Sequence, residues 1–146
     1  MTPSLPSSTE FLLPPGLGDL HQKTLTWESN IELWKRELTF FQKLIAEYGT
    51  QLQLRDHIKE REHFKMLLNY YKNQLMNTYS GKMIRHEEKL KSLMSDGMRQ
   101  EESKYRDEHH ELERQINTFE KELQCFKHEL YLLIEKVLLR NKLKKS

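Results

Sequence analysis

From Tyr105 to Arg140 the apolar residues recur at alternating steps of four and three: Tyr105, His109, Leu112, Ile116, Phe119, Leu123, Phe126, Leu130, Leu133, Val137. A seven-residue repeat held this long keeps one narrow seam facing partner helices, so the segment is expected to lie in a coiled-coil-like bundle. The composition agrees: 36% apolar against 32% charged, with only 5 Gly and 4 Pro in 146 residues, is the profile of long amphipathic helices rather than of a sheet. The class expected is all-α, an antiparallel helical bundle or coiled-coil hairpin with three main helices, the second and third long.

Residues 1–24 read differently. They hold all four prolines (Pro3, Pro6, Pro14, Pro15) and two glycines (Gly16, Gly18), so a flexible Pro-rich tail is expected; the alternative is that Phe11, Leu12, Leu13 and Leu17 form a short apolar hook that docks on the bundle or on another protein. One helical domain should then occupy 25–142, ahead of a basic end at 143–146. Thr26 is a plausible N-cap for the first helix, with Glu28 in its first turn. Its stripe is Trp27, Ile31, Trp34, Leu38, Phe41, Ile45, Tyr48, and Leu33, Phe40 and Leu44 widen the apolar face toward a second neighbour.

Gly49 can end that helix in the left-handed conformation, and Thr50 and Gln53 have the spacing of a capping box, so a tight reversal is expected here. The second helix carries Leu54, Ile58, Arg61, Phe64, Leu68, Tyr71, Leu75, then Tyr79, Met83, His86 or Glu87, Leu90, and Leu93 or Met94. The double step of four through Leu75, Tyr79 and Met83 is a stutter beside Gly81. No capping residue follows, so one long helix is preferred to a break at Gly81, which would make four helices. Reversal at Ser95-Asp96-Gly97 brings Leu75 near Phe119, Leu68 near Phe126 and Ile58 near Val137. Reversal at Gly49 brings Leu38 near Phe64 and Trp34 near Leu68. The first helix would then cover only half of the long hairpin, leaving an arm whose seam residues Tyr79, Met83, Leu90, Leu93, Tyr105 and Leu112 await a second subunit or a partner helix.

Trp34-Lys35-Arg36-Glu37-Leu38-Thr39-Phe40-Phe41, His63-Phe64, His86-Glu87 with Leu90, Tyr105-Arg106-Asp107 and Phe119-Glu120 ahead of Val137-Leu138 resemble small, uncharacterised bacterial helical-bundle proteins over about Thr26 to Leu139. The resemblance implies a helical cytoplasmic protein and carries no activity with it.

Chemistry-bearing residues are few. The hairpin register places His86 and Glu87 near His109, a donor set that would suit a divalent metal such as zinc or iron if a further ligand converged. The other reading of His109 is a seam histidine that needs a hydrogen-bond partner and so specifies register. Glu60-Arg61-Glu62-His63 has the spacing of a di-iron carboxylate motif, but that chemistry needs the motif twice and no second copy exists. Cys125, the single cysteine, cannot form an internal disulfide and is expected to pack rather than react. Lys136 and the cluster from Arg140 to Lys145 read as cations complementing a helix C-terminus. With a net charge of +2 and mixed signs, no nucleic-acid partner is expected, and no apolar run is long enough for a membrane span. The expectation is a cytoplasmic, non-enzymatic helical scaffold without a cofactor, associating as a homo-oligomer, most simply a dimer, or with a partner helix; the alternative is a metal-binding bundle using His86, Glu87 and His109.

Overall fold

A computed structural model describes residues 16–48, 55–96 and 99–145, and every one of these except Gly16 is helical. Three helices result. The first, α1, is Leu17–Tyr48. The second, α2, runs without interruption through Arg55–Asn73, a π-helical segment Gln74–Tyr79, and Ser80–Asp96. The third, α3, is Arg99–Lys145. The expected capping box at 50–53, the Phe11–Leu13 hook and the reversal at Gly97 lie outside the described residues.

The stutter is resolved inside α2. Eight residues separate Leu75 from Met83, more than two α-turns hold, and a π turn takes up about one extra residue. Leu75 C=O accepts from the Ser80 N–H and from Ser80 Oγ at 2.8 Å, both across five residues. Leu75 and Met83 therefore both face the core, at 0% and 2% exposure. Gly81 sits within the helix and breaks nothing.

Contacts between α2 and α3 pair rising numbers with falling ones: Tyr71 with Phe126, Lys82 with Gln115, His86 with His109, Lys89 with Glu108. Those between α1 and α3 rise together: Lys23 with Glu113, Trp34 with Phe119, Glu37 with Lys127. The main core lies where all three meet. Phe126 is the hub, with ring centroids 6.5 Å from Phe41, 5.7 Å from Phe64 and 5.4 Å from Tyr71. Aromatic contacts of this kind stabilise by about 0.5–1.5 kcal/mol each beyond the area they bury. Among the described residues of the α2 stripe, Ile58 is exposed, at 39%, although Val137 is buried.

The start of α1 corrects the expected layout. Leu17 and Leu20, placed in the tail, are helical and buried, and Thr24 is fully buried behind them. Thr26 is no cap: Thr26 Oγ1 donates to Gln22 C=O at 3.1 Å, and Thr24 Oγ1 does the same to Leu20 C=O at 3.0 Å. Both hydroxyls bond back one turn within a helix already under way. α1 is also displaced along α2. Gln42 touches Asn69 and Lys72, where reversal at Gly49 would set it near Glu60.

Extension and displacement together carry the start of α1 to Leu90 and Tyr105. The arm is therefore not open. Met83, Leu90, Tyr105 and Leu112, assigned to an intermolecular interface, are 2–8% exposed within one chain, and Tyr79 and Leu93 are half-buried. Leu17, Leu20, Leu90 and Tyr105 form a second small core there, with Leu93 and Met94 against it. Conversely, Leu33 and Phe40, expected to reach a neighbouring helix, are 54% and 56% exposed.

Candidate functional site

The most chemically distinctive place in the fold is the layer between the two cores. Seam positions at 3–4 spacing carry His86 inward from α2 and His109 inward from α3, and the helix pairing sets them level. His86 Nε2 and His109 Nδ1 are 2.9 Å apart, and the residues are 2% and 0% exposed. Aromatic rings close both sides. Tyr105 stacks on His86 with centroids 4.3 Å apart and planes 6° from parallel. Trp27 of α1 stacks on His109 at 4.6 Å and 27°.

One ring nitrogen must donate and the other accept, so the contact exists only while at least one imidazole is neutral. Burial enforces neutrality. It lowers the His86 pKa to about 4, with Lys89 adding to the effect and Glu108 opposing it. It lowers that of His109 to about 4 as well, assisted by His86, His110 and Lys23 and opposed by Glu113. In either tautomer His109 Nε2 is buried without a partner, which costs about 1–3 kcal/mol. Tyr105 is similar: burial raises its phenol pKa, and its hydroxyl lies by the Thr24 side chain without a hydrogen bond of regular geometry.

Glu87 does not join the two histidines. Its Oε1 lies 3.3 Å from His21 Nδ1 on α1, both side chains half-buried, and the same neighbourhood holds Glu28. Burial, then repulsion from Glu87, raises the Glu28 pKa, while His21 lowers it. The structure thus brings together two of the three candidate metal ligands and turns the third toward another helix. Among the described residues no group of three His, Cys, Asp or Glu side chains could hold a metal ion. The reason is rotational: consecutive residues on a helix point about 100° apart, so His86 and Glu87 cannot serve one seam.

The layer can do two things. It forms one directional contact across α2 and α3, and it resists a charge at that depth. A shift of one helix past the other by a turn would leave both imidazoles buried against apolar side chains, a cost that packing alone would not impose.

His21, Thr24 and Trp27 complete this layer, and the first two stand in the stretch read as a tail. Their signal was present, since Leu17, Leu20, Thr24 and Trp27 follow steps of three, four and three, continuous with the stripe of α1. Elsewhere, Cys125 is exposed rather than packed, and His63 is exposed beside Phe64. Among the described residues no helix is long and apolar enough to cross a membrane. No family model matches this chain, and neither the curated proteins nor the solved structures contain a match.

Proposed function

We propose that the chain is a cytoplasmic, non-enzymatic scaffold whose helices pack as an antiparallel, coiled-coil-like bundle and that it associates with a second copy or with a partner helix. The observation that carries this reading is an apolar surface left over once the core is filled. Leu33, Phe40, Tyr131 and Leu138 each keep about half of their area in water, from 47% to 56%. Along α3, Leu130 to Leu139 contains only Glu135 and Lys136 as polar residues, and a helix apolar around most of its girth asks for neighbours on more than one side. The hairpin arm could act as a contact only if residues 17–27 first lifted from it. The histidine pair serves the scaffold as a register-setting contact. The metal reading would need a third donor beside His86 and His109 in place of Glu87.

A native mass spectrum of untagged protein, recorded before and after chelator, tests the reading. A mass of two or more chains with nothing lost on chelation is expected. A chelator-sensitive increment of one metal ion per chain would overturn it in favour of the metal-binding bundle.

A further inference from the structure

Leu132 and Leu139 stand two turns apart on one face of α3, and they are 47% and 55% exposed. Lys136 lies within one turn of both and is exposed as well. From there to the end of α3 at Lys145 the sequence adds Arg140, Lys142, Lys144 and Lys145 and no acid. The net charge of the whole chain is +2, so without these five cations it is net acidic. Basic character is thus concentrated at one end of one helix. Complementing the helix dipole accounts for cations in the last turn alone, because that effect falls off within a turn, and Lys136 and Arg140 stand before it.

The neighbouring helices do not neutralise this charge. Lys23 pairs with Glu113 and Glu37 with Lys127 at the same offset, which sets Tyr48, the described end of α1, level with Leu138. The last turns of α3 therefore run on past it. Residues 55–62 of α2 hold three bases and three acids, and residues 43–48 of α1 hold one of each. Glu135, within a turn of both leucines, offsets one of the five cations. Glu60 and Glu129 line the groove that Leu132 and Lys136 share with α2, and the other cations lie further along α3 than either.

We propose that α3 from Leu132 to Lys145 is a docking surface for an anionic lipid bilayer, resting on the membrane and not crossing it, an inference that goes beyond the scaffold reading and does not depend on how the chain self-associates. The charge and the apolar strip together select this occupant. Protein interfaces are depleted in lysine at their core, and four of these five cations are lysine. A nucleic-acid contact would use the cations with aromatic rings stacked on bases, and would leave the exposed leucines without a role. An anionic bilayer uses both: its headgroups attract the cations, and the acyl boundary just beneath them accepts leucine side chains. A cluster of about four to eight Lys and Arg on an amphipathic helix is what such surfaces bind.

The test is flotation of the full chain with vesicles of phosphatidylcholine, with and without phosphatidylglycerol, at low and high salt, circular dichroism checking the fold of each variant. Binding to the anionic vesicles alone, weakened by salt, is expected. Lys142→Gln, Lys144→Gln and Lys145→Gln together should weaken it roughly a hundredfold. Leu132→Gln with Leu139→Gln should weaken it about tenfold, whereas Ile84→Gln, at an exposed position on the arm, should leave it unchanged. Absence of binding at low salt, or equal binding to neutral vesicles, overturns the proposal. So does a leucine variant that binds like the wild type while a DNA duplex competes the chain off the vesicles, since the cations would then be a general polyanion contact. None of these outcomes alters the native mass that tests the scaffold reading.

Discussion

The two ends of the bundle are built differently, although one heptad pattern runs through both. Around Phe126 the three helices meet through Phe41, Phe64, Tyr71 and Phe119, all buried, while the buried residues Thr24, His86 and His109 lie toward the other end. Around His109 they meet through Thr24, His86 and Tyr105, with Leu17, Leu20 and Leu90 beyond and the partly buried Leu93 and Met94 against them. Apolar packing is non-directional and accepts small sliding, whereas a hydrogen bond between two neutral imidazoles accepts almost none. The aromatic end therefore supplies stability, and the histidine end supplies register at some expense of stability. Local opening should begin at the histidine end, where fewer apolar contacts must be broken.

That contrast can be broken most directly at the aromatic hub. Phe126→Ala should cost about 3–5 kcal/mol in chemical denaturation, because it leaves a cavity shared by three helices. A loss below about 1 kcal/mol would mean that this end does not dominate stability.

Acid should act at the other end. Both imidazoles have pKa values lowered to about 4 from 6.5, so the unfolded chain takes up protons first. Their contribution is fully present above pH 6.5 and is lost as pH falls through 4. By pH 4 the first imidazole to protonate should have removed about 3 kcal/mol. Replacing both with leucine should flatten this part of the stability–pH curve. An unchanged slope in that variant would assign the acid sensitivity to carboxylates instead.

The smallest effect expected is that of Leu20→Ala, about 2 kcal/mol. Its signature lies in where it acts. Amide exchange should quicken across residues 17–31 and 83–112 while the protection around Leu123 and Phe126 stays as it was. Uniform acceleration along all three helices would show that the two ends open as one unit.

Much of this arrangement was legible from residue spacing. The stripes of α2 and α3, the continuity of α2 past Gly81 and the levelling of His86 with His109 all follow from periodicity. The fate of α1 did not, because its first turns were judged by composition. Four prolines and two glycines outweighed the spacing of Leu17, Leu20 and Thr24, yet the last proline is Pro15, and one glycine in a helix costs only about 1 kcal/mol. That error made the arm look bare.

The amino-acid order alone determined that the described chain would be helical, which faces would be apolar, and that a stutter would fall at Leu75, Tyr79 and Met83. These are local matters, settled by spacing against the helical repeat. How far α1 slides along α2 was decided only in three dimensions, since an apolar stripe repeats every seven residues and packs almost equally well one repeat further on. The same holds for which oxygen faces His21, and for Phe40 and Tyr131 remaining outside. Such outcomes depend on the sum of many contacts between distant segments, and no spacing within one segment encodes that sum.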